Sequence, residues 1–170
     1  MIRFWLFLHL LGFTMWLGGA LASMAAGIAG KREDRAGLGA IARSQAGAYK
    51  AIIAPGALLA VLSGLILTFS VSARMGELVG FNVWLVIMQG AGIIGALLVL
   101  LIGLPTASKL GRLDPEGHGA AYFDELRQRQ KVVSSVAGVL ALVALVAGAW
   151  VREDARPGAL TATRRSASLP

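Results

Sequence analysis

Residues 84–104 read WLVIMQGAGIIGALLVLLIGL, an apolar run with no Asp, Glu, Lys or Arg, followed at once by Pro105. A helix rises 1.5 Å per residue, so about 20 such residues cross the roughly 30 Å hydrocarbon core of a bilayer. A soluble domain would interrupt the run with polar residues every turn or two. Working outward, three more blocks have the same character: about residues 2–29, 51–71 and 132–151. The fold class that follows is an all-α membrane protein, a four-transmembrane-helix bundle over residues 1–152. A polar C-terminal tail, residues 153–170, has little to bury and is expected to be flexible.

The connections carry the charge. Residues 31–50 read as a Gly- and Ala-rich polar link, and residues around Arg74, Gly76, Glu77 and Gly80 as a short loop. Pro55 stands in the first turns of the second block, or at a kink if that helix begins further upstream. Pro105 is expected to close the third block. Asp114-Pro115-Glu116-Gly117 reads as a turn, and Tyr122 to Lys131 as a short amphipathic helix leading into the fourth block. The first block has some features of a secretory signal, with Arg3 ahead of it and Ala20-Leu21-Ala22 as a cleavage-like site. Its length, and the Lys31-Arg32-Glu33-Asp34-Arg35 cluster directly after it, favour a retained helix.

Composition narrows the chemistry. The 170 residues are 56% hydrophobic and include no cysteine. Disulfides, thiolate metal sites and thiol catalysis are thereby removed. The formal charge of +7 has no basic stripe with interleaved aromatics behind it, so nucleic acid is set aside as a partner. Basic loops against anionic lipid headgroups account for it more simply. The two longer connections hold ten Lys and Arg (31, 32, 35, 43, 50, 109, 112, 127, 129 and 131), against six elsewhere (3, 74, 152, 156, 164 and 165). That bias expects the longer connections inside and both termini outside a bacterial inner membrane.

Lipid tails are as apolar as leucine, so helix association needs close packing through small residues. Each block offers a row at four-residue spacing: Gly19, Ser23 and Gly27; Gly56, Ala60 and Gly64; Gly92 and Ala96; Ser134 and Gly138, then Ala144 and Gly148. Polar residues within the blocks are few: His9, Thr14, Ser23, Ser63, Thr68, Gln89, Ser134 and Ser135. With no charged residue centrally placed, a buried carboxylate relay and a charged ion pathway are both disfavoured.

His9 is the one titratable side chain inside a block. On a helical wheel Phe13, Trp16 and Ala20 fall near its direction, with Gly12 and Ser23 at the edges. One imidazole, two aromatic rings and several small residues could accept a flat aromatic cofactor, with His9 as metal ligand. The alternative is that His9 hydrogen-bonds a neighbouring helix or sits among headgroups. His118 falls on the opposite side, so a second ligand would be Met24, Met88 or His9 of another copy. Gln89 lies at a depth similar to that of His9 and either joins it across the bundle or makes an interhelical hydrogen bond. The cluster Lys31 to Arg35 with Arg43 is a topology signal and could also bind lipid phosphates or a partner. No phosphate-binding glycine loop, zinc-protease motif or Ser/His/Asp set is present.

The stretch Phe7-Leu8-His9-Leu10-Leu11-Gly12-Phe13-Thr14-Met15-Trp16-Leu17-Gly18-Gly19 resembles the opening helix of a bacterial membrane-protein superfamily. That superfamily includes copper-resistance-D-type proteins, HemJ-type protoporphyrinogen oxidases and a related uncharacterised integral-membrane family. Pro55-Gly56-Ala57-Leu58-Leu59, Ser63-Gly64-Leu65 and Trp84-Leu85 are most similar to the uncharacterised family. The likeness covers about residues 4–110 and, more loosely, the fourth block. It implies heme binding, with His9 matching the first-helix histidine of the HemJ type. The third-helix lysine of that type has no counterpart, since no lysine lies between Lys50 and Lys109 and Gln89 stands in about its region. The resemblance, joined to the wheel reading, gives heme b or a related porphyrin held by His9, with Phe13 and Trp16 as walls and Gln89 in the lysine's region, rather than porphyrinogen oxidation; copper handling is a further implied role. A non-catalytic subunit that packs against other membrane proteins or a second copy is the alternative expectation.

Overall fold

The computed structural model describes residues 1–75 and 82–154. The short loop expected around Gly76 to Gly80 and nearly all of the expected tail lie outside these. Four helices are long and apolar enough to cross a membrane, and no strand occurs among the described residues. The chain is a multi-pass, all-α bundle. The first helix, α1, spans Ile2–Ala29 and ends in a 3₁₀ turn, Gly30–Arg32. Next come α2 (Arg35–Ala48), a π-helical turn (Tyr49–Ile53) and α3 (Ala54–Met75), stacked end to end as one rod. The second half repeats this plan with α4 (Val83–Leu97), a π turn (Leu98–Gly103) and α5 (Leu104–Leu110). The last helix, α6, runs from Ala120 to Asp154.

Only the first expected span matches its helix end to end. The other three helices overrun their apolar blocks. Residues 31–50 are almost entirely helical rather than a link, and the true turn is Glu33-Asp34. Asp34 starts α2, its Oδ1 accepting from the Gly37 N–H at 2.7 Å, and so satisfies one of the donors a helix start leaves free. The amphipathic stretch 122–131 forms as expected, as the first turns of α6 and without a break. The rod from Arg35 to Ser70 has 36 residues, about 54 Å at 1.5 Å each, well beyond a bilayer core.

Pro105 does not end its helix. It follows a π turn, as Pro55 does, and in both cases the residue four earlier (Ala51, Leu101) lies within that turn. A proline in a helix lacks an N–H and collides with the carbonyl four residues back. The extra residue of a π turn resets that carbonyl, so the helix passes through.

The rods pair as α1 with α3 and α4 with α6. Along the first seam the backbones touch. A Cβ on Gly12 would lie 2.6 Å from the Ala60 nitrogen, and one on Gly56 would lie 2.7 Å from the Trp16 nitrogen. The expected row Gly56-Ala60-Gly64 is therefore the α3 face of this seam. On α4 and α6 the expected rows hold in part: Ala96 and Ala144 are buried and Gly148 packs on Met88, whereas among the described residues nothing comes within 4 Å of a Cβ at Gly92 or Gly138. The buried residues there are Ala91, Gly95, Ala96 and Val99, and Ala137, Ala141, Ala144 and Ala147. Alanine, more than glycine, makes that face. Trp16, 2% exposed, fills the centre and reaches across to Gly95.

A second core lies beyond the apolar runs. Ala42, Leu110, Phe123 and Leu126 are buried together, with Leu38 and Leu113 packed against them. Charged residues surround it, including the Arg35–Asp124 pair at 2.9 Å. The charged ends of α2, α5 and α6 thus form a compact cap.

Candidate functional site

His9 is half-buried on the α1 face that meets α3. The Cε1 and Nδ1 atoms of its ring occupy the space left by Gly64, where a Cβ would come within 3.0 Å of Cε1. Its Nδ1 is 2.7 Å from the Ala60 carbonyl oxygen. A carbonyl oxygen can only accept, so Nδ1 carries the hydrogen. In the neutral ring Nε2 then keeps its lone pair, and the ring is held in one orientation. This is how proteins prepare an imidazole for a metal, with one nitrogen tied to an acceptor and the other left to coordinate.

The other expected members of the site are placed differently. Phe13 is partly buried and meets Trp16 edge-on, ring centres 6.3 Å apart. Trp16 is core, packed on Gly95, and does not wall an open slot. Its indole nitrogen is buried without a hydrogen-bond partner among the described residues. Gln89 does not bond His9. Its Nε2 donates to Thr68 Oγ1 at 2.7 Å, and Thr68 Oγ1 donates to the Gly64 carbonyl at 3.0 Å. His9 and Gln89 therefore both bond α3, at Ala60 and at Thr68, about two turns apart and with no hydrogen bond between them. Ser63, buried on the same helix, turns its hydroxyl back onto the Leu59 and Ala60 carbonyls.

Tested against this geometry, heme finds one suitable ligand and few suitable walls. His9 is held through Nδ1, and its Nε2 has no hydrogen-bond partner among the described residues. Trp16 and Gln89 are engaged in packing and hydrogen bonding, which leaves Phe13 as the neighbour with accessible ring surface. Met24 is 56% exposed on the outside of α1, Met88 packs on Gly148 of α6, and His118 is exposed in the loop before α6. No group of three or more His, Cys, Asp or Glu residues is gathered among the described residues.

A polar cluster that the sequence reading missed sits where the bundle meets the charged cap. Tyr49, 2% exposed in the first π turn, shares a 2.6 Å hydrogen bond with Ser134 of α6. Gln130, also buried, bonds the same hydroxyl through Nε2 at 3.5 Å, and its Oε1 has no partner among the described residues. Tyr49 also packs on Gly103 of the second π turn, so the two irregular turns meet through its ring. The available signal was Gln130 and Ser134 lying in the stripe Leu126, Gln130, Ser134, Ala137, Ala141, whose other members are apolar and buried. The polar link assigned to residues 31–50 concealed Tyr49.

Comparison with protein-family models, with curated proteins and with solved structures finds no match to this chain.

Proposed function

We propose that this protein is a heme b-binding component of a bacterial inner membrane, with His9 supplying one axial ligand through Nε2. The observation that carries the reading is the 2.7 Å bond from His9 Nδ1 to the Ala60 carbonyl, which orients the ring and leaves the ligating nitrogen free. Bound heme would supply one-electron redox chemistry. The chain's own part is to hold the imidazole in one tautomer against α3. The ten Lys and Arg of the longer connections, against six elsewhere, support a cytoplasmic cap with both termini outside.

A second reading is a non-catalytic subunit of a membrane assembly, or of a homo-oligomer. The closed packing at Trp16 and the Gln89–Thr68 bond favour it, since both make sense as helix cement alone. The absorption spectrum of protein purified from heme-replete cells, beside His9→Ala, separates the two. A Soret band lost in the variant supports the heme reading. A colourless wild-type protein overturns it in favour of the subunit.

A further inference from the structure

An open cleft of about 210 Å³ lies between the end of the α4–α5 rod and the first turns of α6. Its walls change character along the helices. Leu101 and Ile102 lie on the membrane side, and Leu101 is 69% exposed. Arg129, Lys109 and Tyr122 line the part nearer the cap. Lys109 stands about 7.5 Å beyond the last residue of the 84–104 run, and Arg129 about 4.5 Å before Val132, at 1.5 Å per residue. Both cations therefore lie at headgroup depth, while Leu101 reaches the hydrocarbon.

From these positions we propose that the cleft binds one anionic phospholipid, its phosphate between Lys109 and Arg129 and an acyl chain along Leu101 and Ile102. Among the described residues no carboxylate lines the cleft. The one ion pair among the described residues, Arg35–Asp124, uses neither cation. A space of 210 Å³ holds about seven groups the size of water at roughly 30 Å³ each. That is enough for a phosphodiester and its glycerol, with the acyl chains left in the bilayer. Basic pockets between transmembrane helices on the cytoplasmic side bind anionic headgroups in this way. The apolar wall distinguishes this occupant from a free phosphate, which would gain nothing from Leu101. The site is independent of His9, which lies toward the other end of the bundle.

The test is native mass spectrometry of the full chain in mild detergent, titrated in turn with phosphatidylglycerol, phosphatidylcholine and inorganic phosphate. One phosphatidylglycerol is expected to bind in preference to the other two. Affinity should fall about fivefold for Lys109→Gln or Arg129→Gln and about 25-fold for both together. Lys109→Arg with Arg129→Lys should restore it. The control Lys31→Gln with Arg112→Gln removes the same charge from exposed positions outside the cleft and should leave binding intact. Equal losses in the control and the cleft variant would mean diffuse attraction and overturn the proposal. So would inorganic phosphate binding as tightly as the lipid, or no preference over phosphatidylcholine.

Discussion

Near Gly12 and Gly56 the α1 and α3 backbones come into direct contact. In the charged cap, Phe123 is fully buried among Ala42, Leu110 and Leu126. The first contact lies where lipid surrounds the helices and burying apolar surface contributes little, so association depends on shape and close approach. The second lies among charged residues, where removing a phenyl ring from water is itself stabilising. One chain thus uses two kinds of cohesion, and each appears where the surrounding medium makes it effective. Tyr49 stands at their junction, its ring against Gly103 and its hydroxyl on Ser134.

Substitutions can break each half of this contrast separately. The largest effect is expected for Gly12→Leu, because its neighbours are backbone atoms that cannot yield. Overpacking of a core costs about 1–3 kcal/mol, and a collision with backbone belongs at or above the top of that range. Size-exclusion profiles and unfolding midpoints in detergent should show loss of the monodisperse form, while Gly138→Leu, which meets nothing within 4 Å, stays near wild type. Next comes Phe123→Ala, expected to cost about 3–4 kcal/mol as a large-to-small change in a packed core. If that loss were below about 1 kcal/mol, the cap would not be a true core and the comparison would fail. Smallest is Tyr49→Phe, which removes the hydroxyl shared with Ser134; a membrane side-chain hydrogen bond is worth about 0.6 kcal/mol. A much larger shift in the unfolding midpoint would make the junction, rather than either core, the point that holds the two halves together.

Much of the architecture was legible because bilayer thickness imposes a length on apolar runs. Residues 84–104 announce a span without reference to any neighbour, and α1 matches its expected limits. Helix ends outside the membrane were harder to read. The Gly- and Ala-rich segment 35–48 has the composition of a linker, and its stripe Leu38, Ala42, Ala46, Tyr49 becomes evident only once α5 and α6 are seen to cover it. Pro105 looked like a terminator because the π turn before it leaves no mark in composition.

The candidate site divides in the same way. That His9 is the one imidazole in a span, and that Gln89 bonds another helix, could be argued from residue type and the cost of polar groups in hydrocarbon. Which acceptors they choose could not, because Ala60 O and Thr68 Oγ1 are selected by the rotation and depth of α3 against its neighbours. Trp16 seemed a wall of a cofactor slot and is the centre of the core, since the direction of a wheel position is relative until a partner helix lies against it. The pairing of α1 with α3, the choice of which small residues on α4 and α6 face the seam, and the meeting of Lys109 with Arg129 in one cleft are likewise tertiary outcomes. Local sequence determines that these helices exist and where the bilayer holds them. Their mutual rotation is decided by the sum of many small contacts between segments far apart in the chain.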